Sequence, residues 1–240
     1  MELCGERIAA RLKMQSLPVY VYETLNSTSD ECRRRLAAGE RQCLVLAERQ
    51  TLGRGRSGKN FYSPTGGLYL SLAMQARPDV VGLTCRAAVE TAEAIELLTG
   101  LDCGIKWVND LYFRGKKVCG ILTEAVGDSV ILGIGVNLCP AALPEELREI
   151  VGFLDCGDIR EPLAAELANR LLREREKKSF MEEYRRRSVV LGKELTCRIG
   201  GRVFSALAMD IDEDGGLTVL GPEGRETLRF GEVFISGAIG

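Results

Sequence analysis

The sequence predicts an α/β chain of the α+β kind, with strands and helices interspersed over residues 1–190 and a small β-barrel over residues 191–240. Two observations carry this prediction. In the first part, short apolar runs bounded by turn residues alternate with segments bearing an apolar stripe at helical spacing. After Gly192 the stripes stop, and short alternating strands follow one another across glycine-rich turns. A chain of 240 residues has room for one large domain and a small appendage.

Taken in order, residues 1–16 read as a short amphipathic lead-in with Ile8 and Leu12 on one face. Val19-Tyr20-Val21-Tyr22 forms a strand that runs into Asn26-Ser27-Thr28-Ser29. A short helix follows, capped by a hydroxyl or carboxylate within Ser27–Asp30 and stopped at Gly39. Leu44 to Ala47 is a buried strand. Gln50 to Gly67 is a long loop rich in Gly, Arg and Ser, and strand resumes over Leu68–Leu72. A helix from about Thr84 to Thr99 carries Ala88, Ala92 and Ile95 on one stripe and ends at Gly100. Three strands follow around Ile105–Trp107, Val118–Glu124 and Val130–Gly135. One charged helix then runs from Pro162 to about Arg187, with Leu163, Leu167, Leu171 and Tyr184 on its apolar side. Leu195, Cys197 and Ile199 alternate, Gly200-Gly201 turn a hairpin into Val203, Ser205 and Leu207, and two further turns separate Leu217–Leu220 from Thr227–Phe230.

Composition excludes several chemistries. The chain has no histidine, which removes Ser-His-Asp and Cys-His nucleophile pairs, imidazole acid–base catalysis, and HExxH or mixed Cys/His zinc sites. Lysine, arginine, carboxylates, hydroxyls and backbone groups must run whatever reaction occurs. None of the nine cysteines forms a CxxC pair, so zinc ribbons and thioredoxin-like motifs are disfavoured and small buried thiols in a reducing cytoplasm are expected. A formal net charge of −2 gives no general drive toward nucleic acid. No segment has the apolar length of a membrane span or a signal core.

Three patterns match on paper and fail on context. Gly53, Gly55 and Gly58 fit GxGxxG, but the following Phe61-Tyr62-Ser63-Pro64 cannot supply the helix that a dinucleotide needs. Gly53 to Lys59 fits a P-loop as far as its lysine, where Asn60 then replaces the magnesium-binding hydroxyl. Asp210-Ile211-Asp212-Glu213-Asp214-Gly215 opens like an EF-hand, but Gly221 stands where the bidentate glutamate belongs, and a tight β-turn is the better account. What remains in the loop is Arg54 and Arg56 alternating with glycines, plus Lys59. That composition suits either a solvated basic loop or a mobile flap whose guanidinium forks close over carboxylate or phosphate oxygens.

Longer blocks decide between them. Residues 50–64 (QTLGRGRSGKNFYSP) with 67–71 (GLYLS) closely resemble the signature loop of biotin protein ligases. Residues 106–124 (KWVNDLYFRGKKVCGILTE) resemble that family's KWPND…KxxGILxE block, residues 133–138 (GIGVNL) its glycine strand, and Ser27-Thr28 its early biotin contact. The blocks stand in the family's order over roughly residues 18–140.

The resemblance implies a mixed-sheet catalytic domain of the biotin/lipoate ligase type over residues 1–190, packed with helices, and an SH3-like barrel over 191–240. It implies a ligase of the biotin–[acetyl-CoA-carboxylase] class that joins biotin and ATP into biotinyl-5′-AMP and passes the biotinyl group to a lysine of a carboxylase acceptor domain. Magnesium would share the triphosphate charge, and no residue set is assigned to hold it. By position, biotin would meet Ser27, Thr28, Gln50, Gly53, Arg54, Gly55, Arg56, Trp107, Lys117, Gly120 and Leu122. ATP and the adenylate would meet Arg54, Arg56, Phe61, Asn109, Lys117, Gly135 and Asn137. Arg54, Arg56 and Lys117 would stabilise phosphoryl charge, and Asp110 would orient the acceptor amine or accept its proton.

Departures are Val108 for proline, Ser29 for asparagine or glutamine, and Phe61 for tryptophan. About seventeen residues precede the first strand, so the expected form lacks an N-terminal helix-turn-helix domain and binds no DNA. Lipoate or octanoate ligation and a non-catalytic biotin or adenylate sensor are the alternatives. A homodimer through a sheet edge is left open.

Overall fold

Seven strands form one mixed sheet in the computed structural model, which describes residues 2–75 and 79–235. They are β1 (Val19–Leu25), β2 (Cys43–Gln50), β3 (Leu68–Gln75), β4 (Gly104–Lys106), β5 (Asp110–Phe113), β6 (Lys116–Val126) and β7 (Ser129–Val136). Their spatial order is β1-β2-β3-β7-β6-β5-β4, with β1 and β2 parallel and every other neighbouring pair antiparallel.

Strand alternation decides what covers each face. Cys43 and Val45 point to one side and pack with Cys32 of helix α2 (Thr28–Ala37), while Leu44 and Leu46 point to the other. That second face carries the main core, under α1 (Gly5–Ala9), α3 (Val80–Thr99), α4 (Arg160–Leu172) and α5 (Lys177–Arg187). Ile8 and Leu12 of the lead-in are buried there, as their spacing predicts.

Three expectations are corrected. The single helix from Pro162 to Arg187 is two helices, α4 and α5, because the chain turns extended at Arg173. The turn lets both arms lie on α3, where Arg170 and Arg175 reach the same Glu93 carboxylate at 2.8 and 2.9 Å, beside the fully buried Glu90. Helix α3 begins at Val80 instead of Thr84, because the Asp79 carboxylate accepts from the Gly82 N–H at 2.9 Å and caps it. The region between Ile105 and Glu124 holds an additional strand, β5, joined to β6 by Arg114-Gly115 with both residues at positive φ, a tight-hairpin conformation.

After α5 come β8 (Glu194–Ile199), β9 (Arg202–Ile211), β10 (Leu217–Gly221), β11 (Gly224–Leu228) and β12 (Glu232–Ile235). They pair antiparallel in the order β11-β10-β9-β8-β12, so the expected barrel is built as a five-stranded sheet with β11 and β12 at its ends. Leu195, Cys197, Ala206, Ala208, Leu217 and Val219 alternate inward and are buried.

Candidate functional site

The C-terminal end of β1, the start of α2, the glycine–arginine loop and the middle of β5, β6 and β7 surround a cavity of about 340 Å³. Its floor is a chain of hydroxyls and one amide. Ser27 caps α2, its side chain accepting from the Ser29 N–H at 3.2 Å. Thr28 donates to Gln50 Oε1 through both its N–H (2.8 Å) and its hydroxyl (3.1 Å), and Gln50 Nε2 donates to Ser63 Oγ at 2.9 Å. Ser71, fully buried on β3, lies 2.8 Å from Thr28 Oγ1 and 3.0 Å from Ser29 Oγ. These groups hold one another in place before any ligand arrives, which spares the cost of ordering them on binding.

The opposite wall is charged. Lys117 on β6 places Nζ 2.7 Å from Asp110 Oδ1 on β5 and within 5.9 Å of the Phe61 ring centroid. Its backbone is fixed on the far side by Ile150 O and Gly152 N, both at 2.8 Å. Gly120 and Gly135 are paired across β6 and β7, and the Phe61 ring lies directly on them. A Cβ built on Gly120 would meet the ring at 2.8 Å, and one on Gly135 at 2.4 Å. Two bare Cα atoms side by side make a flat seat for a planar group, and any larger residue would fill it.

The loop folds back on itself through bridges Gln50↔Ser63 and Arg54↔Asn60, with a single 3-10 turn over Arg56–Gly58. No α-helix follows its glycines, in keeping with the rejection of the dinucleotide and P-loop patterns. Its cations rest on neighbouring polar groups. Arg54 Nη2 lies 2.8 Å from Asp30 Oδ1, and Arg33 bridges that same aspartate to Glu124. Arg56 donates to Asn109 Oδ1 at 3.1 Å and reaches Gly231 O at 3.5 Å, and Lys59 pairs with Glu232.

Of the residues singled out in the sequence, Ser27, Thr28, Gln50, Arg54, Gly55, Arg56 and Phe61 line this cavity from one side. Trp107, Asn109, Asp110, Lys117, Gly120, Leu122, Gly135 and Asn137 line it from the other. Gly53 does not reach the lining; it is buried beneath the loop, its carbonyl accepting from the Phe61 N–H at 2.8 Å. Ser29, noted in the sequence only as a departure from asparagine or glutamine, lines the cavity too, its hydroxyl 3.0 Å from Ser71 Oγ.

Sequence reasoning passed over Lys106, Tyr112, Ser71, Glu232 and Phe234. Burial holds the Lys106 ammonium below its ordinary pKa, with Asp110 opposing, and pushes the Tyr112 phenol up to about 12. Lys106 Nζ donates to Tyr112 OH at 3.3 Å and sits 5.2 Å from the Phe234 ring centroid. Ser71 carried a signal, a lone hydroxyl inside the apolar run LYLSL, whereas Glu232 and Phe234 carried none because they reach the cavity from β12.

Comparisons with known proteins fall on the same segments. Residues 21–138 match the Biotin/lipoate A/B protein ligase family and residues 190–236 match the Biotin protein ligase C terminal domain. The chain is 31% identical to a biotin–[acetyl-CoA-carboxylase] ligase of Mycobacterium tuberculosis over 194 residues, covering 72% of this chain and 71% of that one. It is 41% identical over 124 residues to the bifunctional ligase/repressor BirA of Bacillus subtilis, a match that spans 46% of this chain and only 38% of that relative. The chain thus spans less than half the length of the Bacillus relatives it matches. Among solved structures, biotin protein ligase from Aquifex aeolicus in complex with biotin and ATP superposes with a TM-score of 0.79 at 28% identity, over 90% of this chain and 97% of that one.

Proposed function

Because the chain belongs to the biotin protein ligases of the biotin/lipoate A/B protein ligase family, we propose that it activates biotin with ATP and transfers it to a lysine of a carboxylase acceptor domain. One observation carries the reading. Every recognised block converges on one cavity that is hydroxyl- and amide-lined at one end and cationic at the other. A neutral polar ring suits the Thr28, Gln50 and Ser29 end, and a carboxylate meeting a phosphate suits the Lys117, Arg54 and Arg56 end.

In the first step an oxygen of the biotin carboxylate forms a bond to the α-phosphorus of ATP while the bond to the β-phosphate oxygen breaks, and pyrophosphate leaves. Negative charge grows on the phosphoryl oxygens, where fixed cations favour the transition state over the substrate. Lys117 is held for this by Asp110 at 2.7 Å. Arg54 and Arg56 stand on a loop and can exchange their present polar partners for phosphate oxygens. The adenine or ribose would occupy the seat made by Gly120 and Gly135, displacing or stacking on Phe61. ATP is taken as its magnesium complex, the ion sharing the triphosphate charge. The described residues gather no group of three metal-ligating side chains, and no protein ligand is assigned to it.

In the second step the acceptor amine attacks the carbonyl carbon, a C–N bond forms, the C–O bond to phosphate breaks and AMP departs. Asp110 orients the amine or takes its proton. The nine cysteines are all free thiols, which supports work in a reducing cytoplasm, and no helix of the described residues is long and apolar enough to cross a membrane.

The test is purified protein with magnesium-ATP, an acceptor domain and either biotin or lipoate, read by pyrophosphate release and label transfer. Biotin-dependent release and transfer are expected. Transfer of lipoate in preference to biotin, or tight biotin binding without pyrophosphate release, would overturn the proposal.

A further inference from the structure

The acidic run Asp210 to Gly215, set aside in the sequence as a tight turn, spans the end of β9 and the β9–β10 turn of the C-terminal sheet, and that turn packs against the wall of the cavity. The carbonyl of Gly215 accepts from the indole N–H of Trp107 at 2.8 Å in a buried contact. Trp107 begins the segment that bears Asn109, the partner of Arg56, and Asp110, the partner of Lys117. The next residue, Val108, is held from a second side, its carbonyl accepting from the buried Tyr184 hydroxyl of α5 at 3.0 Å.

The turn itself is braced on both flanks. Asp212 Oδ1 accepts from the N–H groups of Asp214 (2.9 Å) and Gly216 (2.8 Å), and its carboxylate pairs with Arg229 at 2.8 Å. Helix α5 clamps it to the larger sheet's layer. Lys177 meets Asp214 at 2.9 Å, and Arg185 meets Glu213 at 2.7 Å and Ile211 O at 2.5 Å. Gly215 has φ +79°, and a Cβ there would lie 2.8 Å from Cys85 Sγ and 2.9 Å from Val81 Cγ1 of α3. Only glycine lets the carbonyl come this close to the indole at that backbone angle.

We infer that the β9–β10 turn is a positioning element of the ligase site, acting through Trp107, with Gly215 as the residue that sets its approach. The inference rests on the ligase reading above, since it assigns the turn a part in that reaction. An indole pinned at its N–H, followed by a Val108 carbonyl held by Tyr184, fixes the direction in which the chain leaves toward Asn109 and Asp110. Displacing the turn frees the indole, and the two polar side chains then lose their aim at Arg56 and Lys117. Misplacements of this order are costly to a reaction that depends on fixed charges.

Trp107 is the chain's sole tryptophan and is 4% exposed, so its fluorescence reports on this contact directly. In Gly215→Ala the emission should shift to the red and acrylamide quenching should increase, while the circular dichroism spectrum stays that of the folded chain. Adenylate formation should fall about tenfold in kcat. The same substitution in a Trp107→Phe background should cost less than about twofold, since phenylalanine has no N–H for Gly215 to hold.

Equal losses in both backgrounds would overturn the inference, as would wild-type emission and quenching in Gly215→Ala. If that variant does not fold, Asp212→Ala loosens the same turn without a clash, and an unchanged indole signal there overturns the inference equally. The fluorescence is read without substrates. A wild-type chain that makes no adenylate therefore defeats the ligase reading, while the indole signal still decides whether the turn holds the segment.

Discussion

The two ends of the cavity are built on opposite terms. At the floor, Ser27, Thr28 and Ser29 are 3–4% exposed, and each is already bonded to protein groups that are themselves held by other protein groups. At the loop, Arg54 and Lys59 are 46% and 62% exposed at the side chain and rest on carboxylates at the rim. Exposed ion pairs of that kind contribute about 0–1 kcal/mol, so a phosphate can take the cations away at little cost. A floor held in this way favours a ligand that makes hydrogen bonds of fixed geometry, as the proposed biotin ring would. The loop, so lightly held, is free to exchange its partners, as the proposed reaction with a charged nucleotide would require. Lys117 stands between these regimes, on a strand and paired with Asp110 at 2.7 Å, yet facing the same cavity as the loop arginines.

The largest effect should come from removing the cation that is both fixed and aimed. Lys117→Ala should slow adenylate formation by about 10²–10³-fold and leave the melting temperature within a few degrees, as read by pyrophosphate release and calorimetry. A near-normal rate would shift the burden to the loop arginines and erase the distinction between wall and flap. Asp110→Asn comes next. Transfer from preformed adenylate should fall by about 10²-fold, with adenylation slowed less through the loosened Lys117, in a chase of isolated adenylate with acceptor. If transfer keeps its rate, Asp110 serves only to hold Lys117.

On the floor, Thr28→Val removes one hydroxyl while keeping the shape. It breaks the hydroxyl's bonds to Gln50 and Ser71 and leaves the backbone N–H bond to Gln50, so the biotin dissociation constant should rise about tenfold, near 1.4 kcal/mol, with kcat nearly unchanged in titration and steady-state assays. An effect on kcat instead would mean that the floor contributes to chemistry.

The smallest effect on the reaction lies behind the floor. Glu31 on α2 receives Arg34, the Tyr22 hydroxyl at 2.7 Å and Arg35, which hold its carboxyl down at about 2. A carboxyl depressed in the folded state adds stability above its unfolded value near 4.5, and that stability is lost as pH falls toward 2. Glu31→Gln should therefore cost about 1–2 kcal/mol at neutral pH and flatten the acid limb of the melting curve between those values. A variant with the wild-type acid limb would place the stability of the floor elsewhere.

Most of the site was legible because it is written in contiguous blocks. Gly120, Gly135 and Lys117 are strand residues whose spacing survives folding unchanged, and Ser27 announces itself as a helix cap. The fold was less legible where long-range charge decided it. Nothing local to Arg173 breaks the predicted helix; the break follows from Arg170 and Arg175 both reaching Glu93 on another helix. Strand β5 was hidden because Asp110–Phe113 is short, and its pairing with β6 depends on a turn in which Arg114 adopts a positive φ that sequence does not favour.

The sequence alone determined the element types over most of the chain, the exclusion of histidine chemistry and the set of cations available for phosphate, since these follow from residue identity and local periodicity. Only the tertiary structure decided which of those cations share a cavity and what each rests on. It also brought Gly231, Glu232, Val233 and Phe234 to a pocket whose other residues lie more than ninety positions earlier or on the segment over 147–151, and set Gly215 against Trp107. The physical reason is that hydrogen bonds and ion pairs act over a few ångströms in space, and only packing brings distant stretches of the chain that close.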